Sequence, residues 1–468
     1  MADTIFQGLA EGGDRIAVIG QSGERLTFGE LTERADALGG RLPGRCLVLV
    51  VCTNCAECVI GYVGLMRAGA AVILVHAGMK PGHLEDIVRR FRPAFAFAPA
   101  GTMAGEDVAS LGEYRLVKTG HAIGAVPLHD DLRLLLATSG TTGSRQFVRL
   151  SAANVAGNAG SISRYLGIDD QSRAITTMPM SYSYGLSILH SHLLSGGSVV
   201  MVEAPLVSPV FWKAVREHEA TTFGGVPFIY EMLKRLNFER MNLPSLRTLT
   251  QAGGRLSRDL ILHFVEVCES KGIEFIVMYG QTEATARISY VPWEKAREKA
   301  GSIGIAIPDG SLALLGEDGE EIDEAAVSGE LVYRGPNVSM GYAVDHGDLG
   351  RGDENRGRLL TGDIAVRDAD GIYSIVGRKK RFLKLYGNRV NLDEVEQILK
   401  SAGYVCACVG SDDRLVVYAQ PPAEATAVKD VLAAEISINP RAISIELIDV
   451  IPRSESGKVD YGVLRGAA

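Results

Sequence analysis

The apolar run Leu134–Ala137 stops at Thr138-Ser-Gly-Thr-Thr-Gly143, four hydroxyl side chains and two glycines in succession. A buried strand ending in such a loop presents backbone N–H groups and hydroxyls to an anion. Phosphate suits it, because glycine permits close backbone approach and Ser/Thr add donors. No Gly-Lys-Ser/Thr follows, so this is not a Walker A loop, and a plain polar turn has the same composition. A second constellation is Cys52, Cys55 and Cys58, spaced like part of an iron–sulfur ligand set. No fourth cysteine follows nearby, and the run straddles a strand end and a helix start, so buried thiols are the expected reading.

The elements that must position these residues alternate. Thr27-Phe-Gly-Glu30 has capping-box spacing and opens an amphipathic helix to about Leu42. Strands are expected at Cys46–Cys52, Ala71–Val75 and Ala94–Pro99, with helices through Met66 and over Gly82–Phe91. Beyond the hydroxyl loop, helices are expected at 153–165, 185–194, 209–219, 228–236 and 257–270. Strands fall between them at 174–178, 198–202, 246–250 and 274–278. Such alternation implies parallel sheets covered by helices, whose ligands gather at the carboxyl ends of the strands. Three polar or glycine-rich segments stand at such ends: 138–143, 251–255 and 279–283. From about Gly301 the texture changes to short strands with Gly/Asp turns. From Arg381 onward it reads as a small α+β module.

Bulk properties narrow the classes. The 468 residues are 46% hydrophobic and 22% charged, ordinary globular values for roughly two to four domains. A net charge of −8 argues against a dedicated nucleic-acid binder. The first residues lack the blocks of a signal peptide, and no apolar run approaches the ~20 residues that span a bilayer. Seven cysteines, an odd number, fit a reducing compartment. The expectation is a cytoplasmic protein without membrane insertion.

Five motifs then occur in one order: Thr138-Ser-Gly-Thr-Thr-Gly143, Tyr279-Gly-Gln-Thr-Glu283, Thr361-Gly-Asp363, Gly377-Arg-Lys-Lys380 and Ser456-Gly-Lys458. Together they resemble the adenylate-forming superfamily of acyl-CoA synthetases, peptide-synthetase adenylation domains and firefly luciferase, over nearly the whole chain. The resemblance implies an α/β fold. A large N-terminal domain (1–379) would hold two helix-covered sheets plus a small β unit at about 301–379. A small, mobile α+β domain (380–468) would follow, hinged at Lys380.

The implied activity is ATP-dependent conversion of a carboxylic acid to an acyl-adenylate with release of pyrophosphate. The acyl group then passes to the thiol of CoA or of a phosphopantetheinyl carrier protein. Implied roles follow the motifs. Lys458 bridges the carboxylate and the α-phosphate, as a point charge on a flexible stem can. Thr282 donates to the α-phosphate, and Glu283 helps hold Mg²⁺, which prefers hard oxygen ligands. Thr138, Ser139, Gly140, Thr141, Thr142, Gly143 and Arg145 surround the phosphates. Gly253, Gly254, Arg255 and Tyr279 flank the adenine, and Gly280 and Gln281 also belong to the nucleotide site. Asp363 accepts from the ribose hydroxyls, with Ile375 and Arg378 on the same nucleotide. Lys384 and Gly387 face the thiol step.

The departures from the pattern are informative. The phosphate loop continues Gly143-Ser-Arg-Gln-Phe147, so Gln146 stands where the family has a lysine, with Arg145 one residue earlier. This bears on ATP affinity. Tyr182 replaces a common histidine in Met180-Ser-Tyr-Ser-Tyr-Gly185, and Tyr182, Tyr184 and Ser187 are expected to line the acid pocket. No Asp or Glu occurs between Thr176 and Ser198, which disfavours an α-amino-acid substrate. Gly280 replaces a bulky residue of short-acyl synthetases, so an acid larger than acetate is expected. Only ten residues follow Lys458, so a carrier domain in the same chain is not expected. Two alternatives remain: an adenylating enzyme with a nitrogen acceptor, and a non-catalytic nucleotide-binding relative.

Overall fold

The computed structural model describes residues 6–137, 146–385, 388–411, 414–435, 442–453 and 459–467. The described chain divides into two compact units. One comprises residues 6–137 and 146–311 with Tyr333–Leu359, and the other comprises Leu312–Val332 with the described residues from Leu360 onward.

The first unit is built on two sheets. One runs, in spatial order, Gly341–Ala343, Phe147–Ser151, Leu132–Ala137, Ala71–His76, Leu47–Cys52, Phe95–Pro99, Tyr114–Lys118 and Glu106–Leu111. Its central strands from Leu132–Ala137 to Phe95–Pro99 are parallel, and every residue of Leu47–Cys52 is buried. Uninterrupted apolar sequence is what a strand covered on both faces requires. The other sheet runs Ile305–Ala306, Ser289–Tyr290, Glu274–Tyr279, Thr248–Gln251, Thr222–Gly225, Arg173–Ile175, Ser198–Val200, Ile16–Ile19 and Arg25–Thr27. The six strands from Glu274–Tyr279 to Ile16–Ile19 are parallel. One apolar cluster joins both sheets through the helices Phe28–Gly39, Ala56–Arg67 and Ser183–Leu194.

Local signals fixed the helix starts. Thr27 Oγ1 accepts from Glu30 N at 3.1 Å, and Glu30 returns the bond to Thr27 N at 2.8 Å. Cys55 is itself the cap of Ala56–Arg67, its Sγ accepting from Cys58 N, while Cys52 and Cys58 are buried among apolar neighbours. The cysteine spacing is thus spent on a strand end, a cap and a packed helix turn.

Strand Thr222–Gly225 was not expected, because glycine is depleted in strands. Here the glycines make room. A Cβ on Gly224 would stand 2.6 Å from Tyr184 Oη, and one on Gly225 would stand 2.7 Å from Ile229 Cγ2.

The second unit contains most of a sheet ordered Ser311–Leu315, Ser328–Arg334, Arg358–Arg367 and Tyr373–Arg378. Asn391 Nδ2 donates to Val376 O at 2.8 Å, tying the last strand to the start of helix Leu392–Ser401. The resemblance places a domain boundary at Lys380, and that position lies within this second unit. Beyond it lie the pair Phe382–Leu385 and Asn388–Asn391, and the sheet of Cys406–Ser411, Arg414–Ala419 and Ile443–Leu447. Helices Ala425–Glu435 and Tyr461–Ala467 complete the unit. The last helix has no sequence signal of its own. Tyr461 Oη anchors it by donating to Glu396 Oε2 at 2.9 Å, and Arg381 lies over the Tyr461 ring.

Candidate active site

Three neighbouring parallel strands of the second large sheet end together, with Gly225 beside Gln251 and Gln251 beside Val277. Val226–Pro227, Gly253-Gly254-Arg255 and Gly280–Glu283 therefore emerge along one carboxyl edge, where ligands of such sheets collect. Gly253 adopts φ +80°, and a Cβ there would lie 2.7 Å from Tyr182 Oη. The bare backbone lets the ring approach. Burial pushes the Tyr182 phenol up to about 12, so it stays a neutral donor and acceptor at neutral pH. Gly254 and Arg255 are exposed. Gln281 Nε2 donates to Tyr279 Oη at 3.0 Å, which draws those two residues of the motif together.

The turn after Gln281 carries the reactive types. Thr282 Oγ1 lies 3.2 Å from Ser183 Oγ, at the start of helix Ser183–Leu194. Tyr342 Oη donates to Glu283 Oε1 at 2.7 Å, and burial with the neighbouring carboxylate raises the Tyr342 phenol. Two residues on, Thr285 has φ +64°, a left-handed conformation costly for a β-branched residue, about 1–3 kcal/mol. Asn337 holds it there. Thr285 Oγ1 donates to Asn337 O at 2.8 Å, and Asn337 Nδ2 donates to Ala284 O at 2.8 Å and Arg287 O at 3.0 Å. Ser339 N donates to Glu283 O at 2.9 Å. The carboxylate of Glu283 is thus aimed by a segment that lies far along the chain.

That segment is fixed in turn by Arg149. Its fully buried guanidinium donates to Tyr342 O at 3.1 Å, Met340 O at 2.7 Å, Arg351 O, and Glu354 Oε2 at 2.7 Å. Arg149 sits on Phe147–Ser151, the strand paired with Gly341–Ala343. Asn337, Tyr342 and Arg149 belong to none of the sequence motifs, and nothing in their spacing marked them.

Gly280 corrects the sequence reading. A Cβ at 280 would fall 1.8 Å from Ala286 O and 2.8 Å from Arg287 Cα. The space a side chain would take is filled by backbone, so this glycine does not open room for a large acid. It permits the strand end and the returning 286–287 segment to touch. Gly280→Ala is expected to cost about 1–3 kcal/mol through overpacking, read as a lower urea midpoint. A wild-type midpoint would contradict the close approach.

Tyr184 and Ser187 are buried and spend their hydroxyls internally. Tyr184 Oη donates to Thr250 O at 2.8 Å, and Ser187 Oγ donates to Tyr184 O at 2.7 Å. Ser187 Oγ also accepts from Arg287 Nε at 3.2 Å. Arg287, four residues past Glu283, belongs to none of the sequence motifs, and its place just after Tyr279–Glu283 is the signal that could have found it.

In the second unit, Asp363 and Arg378 face each other across adjacent antiparallel strands, with Arg378 Nε 3.2 Å from Asp363 Oδ1. The Asp363 side chain is almost wholly buried, whereas that of Arg378 is mostly exposed. Gly362, at φ +72°, bends the strand just before the carboxylate. Ile375 pairs with Ala365, beside the strand irregularity that follows Ile364. Lys380 and Lys384 are described in backbone alone, in the turn Lys379–Arg381 and the strand Phe382–Leu385. Thr138, Ser139, Gly140, Thr141, Thr142, Gly143, Arg145, Gly387 and Lys458 lie outside the described residues.

Comparison with known proteins agrees with this geometry. A family model described as AMP-binding enzyme matches residues 6–343. Indoleacetate–CoA ligase of Aromatoleum aromaticum is 31% identical over 70% of this chain and 65% of its own length, so the match spans just under two thirds of that relative. Feruloyl-CoA synthase of an Amycolatopsis species is 28% identical over 86% of this chain and 80% of its own length. The structure of o-succinylbenzoate CoA synthetase from Bacillus subtilis, in complex with its acyl-adenylate intermediate, superposes with a TM-score of 0.81. That match covers 99% of this chain and 98% of the other at 22% identity. By the family model's span and this shared fold, the chain belongs to the AMP-binding enzymes, the adenylate-forming superfamily.

Proposed function

We propose that this enzyme is an AMP-forming acid–thiol ligase of the acyl-CoA synthetase type. A carboxylate oxygen attacks the α-phosphorus of ATP and pyrophosphate leaves. A thiol, that of CoA in this reading, then attacks the acyl carbon and AMP leaves. The observation that carries the reading is the Thr282–Glu283 turn at the carboxyl edge, its carboxylate oriented by Tyr342 and its backbone pinned by Asn337.

Each half-reaction sets a physical requirement. Bringing a carboxylate to a polyphosphate opposes like charges, so cations and donors must be in place beforehand. Thr282 supplies a hydroxyl for the α-phosphate and Lys458 the cation that meets both carboxylate and phosphate. Among the described residues no group of three metal-ligating side chains occurs. Mg²⁺ would be held by Glu283 with phosphate oxygens, the sparse protein ligation this ion favours, and when bound it neutralises phosphate charge. Asp363 takes the ribose hydroxyls, and Arg378, already paired with it, keeps the carboxylate oriented. Lys380 serves as the hinge between half-reactions, and Lys384 and Gly387 serve the thiol step.

The test is AMP release with a panel of carboxylic acids, with and without CoA. AMP formation that requires both acid and CoA is expected. Turnover that ignores CoA but proceeds with an amine would overturn the thioester step.

Gln146 offers a separate check. It is half-buried immediately before strand Phe147–Ser151. Gln146→Lys is expected to lower the KM for ATP roughly tenfold, the worth of one added charge-assisted hydrogen bond. An unchanged KM would show that the loop is complete with Arg145.

A further inference from the structure

Arg287 is 2% exposed, and its guanidinium meets only neutral groups. Nε donates to Ser187 Oγ at 3.2 Å, and Nη1 reaches Tyr165 Oη at 3.2 Å and Met278 Sδ at 3.3 Å. The Tyr184 ring lies 5.0 Å from Cζ. Among the described residues no carboxylate pairs with it, and Nη2 has no hydrogen-bond partner. Of the three other buried arginines, Arg149 meets Glu354 and Arg381 meets Asp393 and Glu396, while Arg133 donates to the carbonyls of Asp130 and Leu132. A cation held from water without an opposite charge is expensive, and Arg287, unlike Arg133, lies beside the Thr282–Glu283 turn.

Its surroundings are short of partners as well. Asn158, whose Nδ2 donates to Arg287 O at 3.0 Å, leaves its buried Oδ1 without a partner. His192 Nε2 is buried and unpartnered too, and burial, with a smaller contribution from Arg287, pushes that imidazole down to about 4. His192 is therefore neutral at physiological pH and adds no second cation. Position matters equally. Arg287 follows the Thr282–Glu283 turn directly, its Cα packed against Gly280, and its side chain runs inward to the helix that bears Tyr184 and Ser187.

We infer that the acid substrate carries a second anionic group at its far end, and that Arg287 is the residue that selects it. One carboxylate is activated near Thr282, and the other group pairs with Nη2 of Arg287. The substrate class is then a dicarboxylic acid, or a carboxylic acid bearing a comparable distal anion. This inference rests on the adenylation reading for the position of the first carboxylate. The pairing of Arg287 with a distal anion can be measured without catalysis.

The experiment compares matched acids that differ only in a terminal methyl or carboxylate: hexanoate with adipate, and 4-methylbenzoate with terephthalate. Acid-dependent pyrophosphate release and calorimetric binding are both measured, for wild type, Arg287→Met and Arg287→Lys. Wild type is expected to favour the diacid of at least one pair by tenfold or more in kcat/KM. Arg287→Met should abolish or reverse that preference, and Arg287→Lys should restore part of it.

Monoacid preference in both wild-type pairs would overturn the inference, whether or not the variants fold. So would an equal loss for both acids in Arg287→Met, which is the mark of a structural role. Adenylation of monoacids alone would leave the adenylation reading intact while removing this one. Diacid binding that depends on Arg287 without any pyrophosphate release would do the opposite.

Discussion

Lys458→Ala is expected to lower acid-dependent pyrophosphate release by about 10²–10³-fold, the usual cost of removing one charge-stabilising group from a reacting centre. The cause is electrostatic. A carboxylate nucleophile and a polyphosphate repel each other, and of the groups assigned here only a lysine on a flexible stem can serve both at once. Glu283 and Thr282 cannot compensate, since one is an anion and the other a neutral donor. Thioester formation from a chemically prepared acyl-adenylate should survive in the variant, because no phosphorus bond forms in that step. Following pyrophosphate release and adenylate consumption separately checks both halves. Equal losses in the two assays would show a general defect and remove Lys458 from the assigned role.

Arg149→Leu is expected to have the largest effect on stability, about 3–5 kcal/mol, measured by urea unfolding. The guanidinium is wholly buried and satisfies the carbonyls of Tyr342, Met340 and Arg351 as well as Glu354. Removing it leaves buried acceptors without donors, each costing about 1–3 kcal/mol. Below its midpoint the folded variant should also lose activity, because the strand that carries Tyr342 is paired with the one that carries Arg149. A variant as stable as wild type would mean that water replaces these bonds freely.

The sequence revealed those parts of the fold whose cause is local. Leu47–Cys52 reads as a strand because each of its residues is apolar, and Phe28–Gly39 begins where Thr27 and Glu30 exchange hydrogen bonds. Thr222–Gly225 was hidden, since its glycines answer to a tyrosine hydroxyl and an isoleucine that arrive from other elements. Glu106–Leu111 was hidden because it is an edge strand, half of it polar, without clear alternation and with no residue fully buried. The site divides the same way. Thr282, Glu283, Asp363 and Arg378 stand in contiguous motifs, whereas Tyr342 meets Glu283 from 59 residues away. A contact at that separation leaves no period in the sequence. Gly280 shows the converse: a residue type correctly noticed, whose reason is the backbone of Ala286 and not the size of a ligand.

The hold of Asn337 on the Thr285 turn sets the limits of what can be transplanted. Thr285 keeps its positive-φ backbone because Asn337 bonds to three residues of that turn, 284, 285 and 287. A specificity graft that moved 176–287 into another member of the family would carry the strained turn but leave its anchor behind. The smallest exchangeable piece therefore has two parts, 176–287 and 335–343, which must travel together for Glu283 and Arg287 to arrive in register.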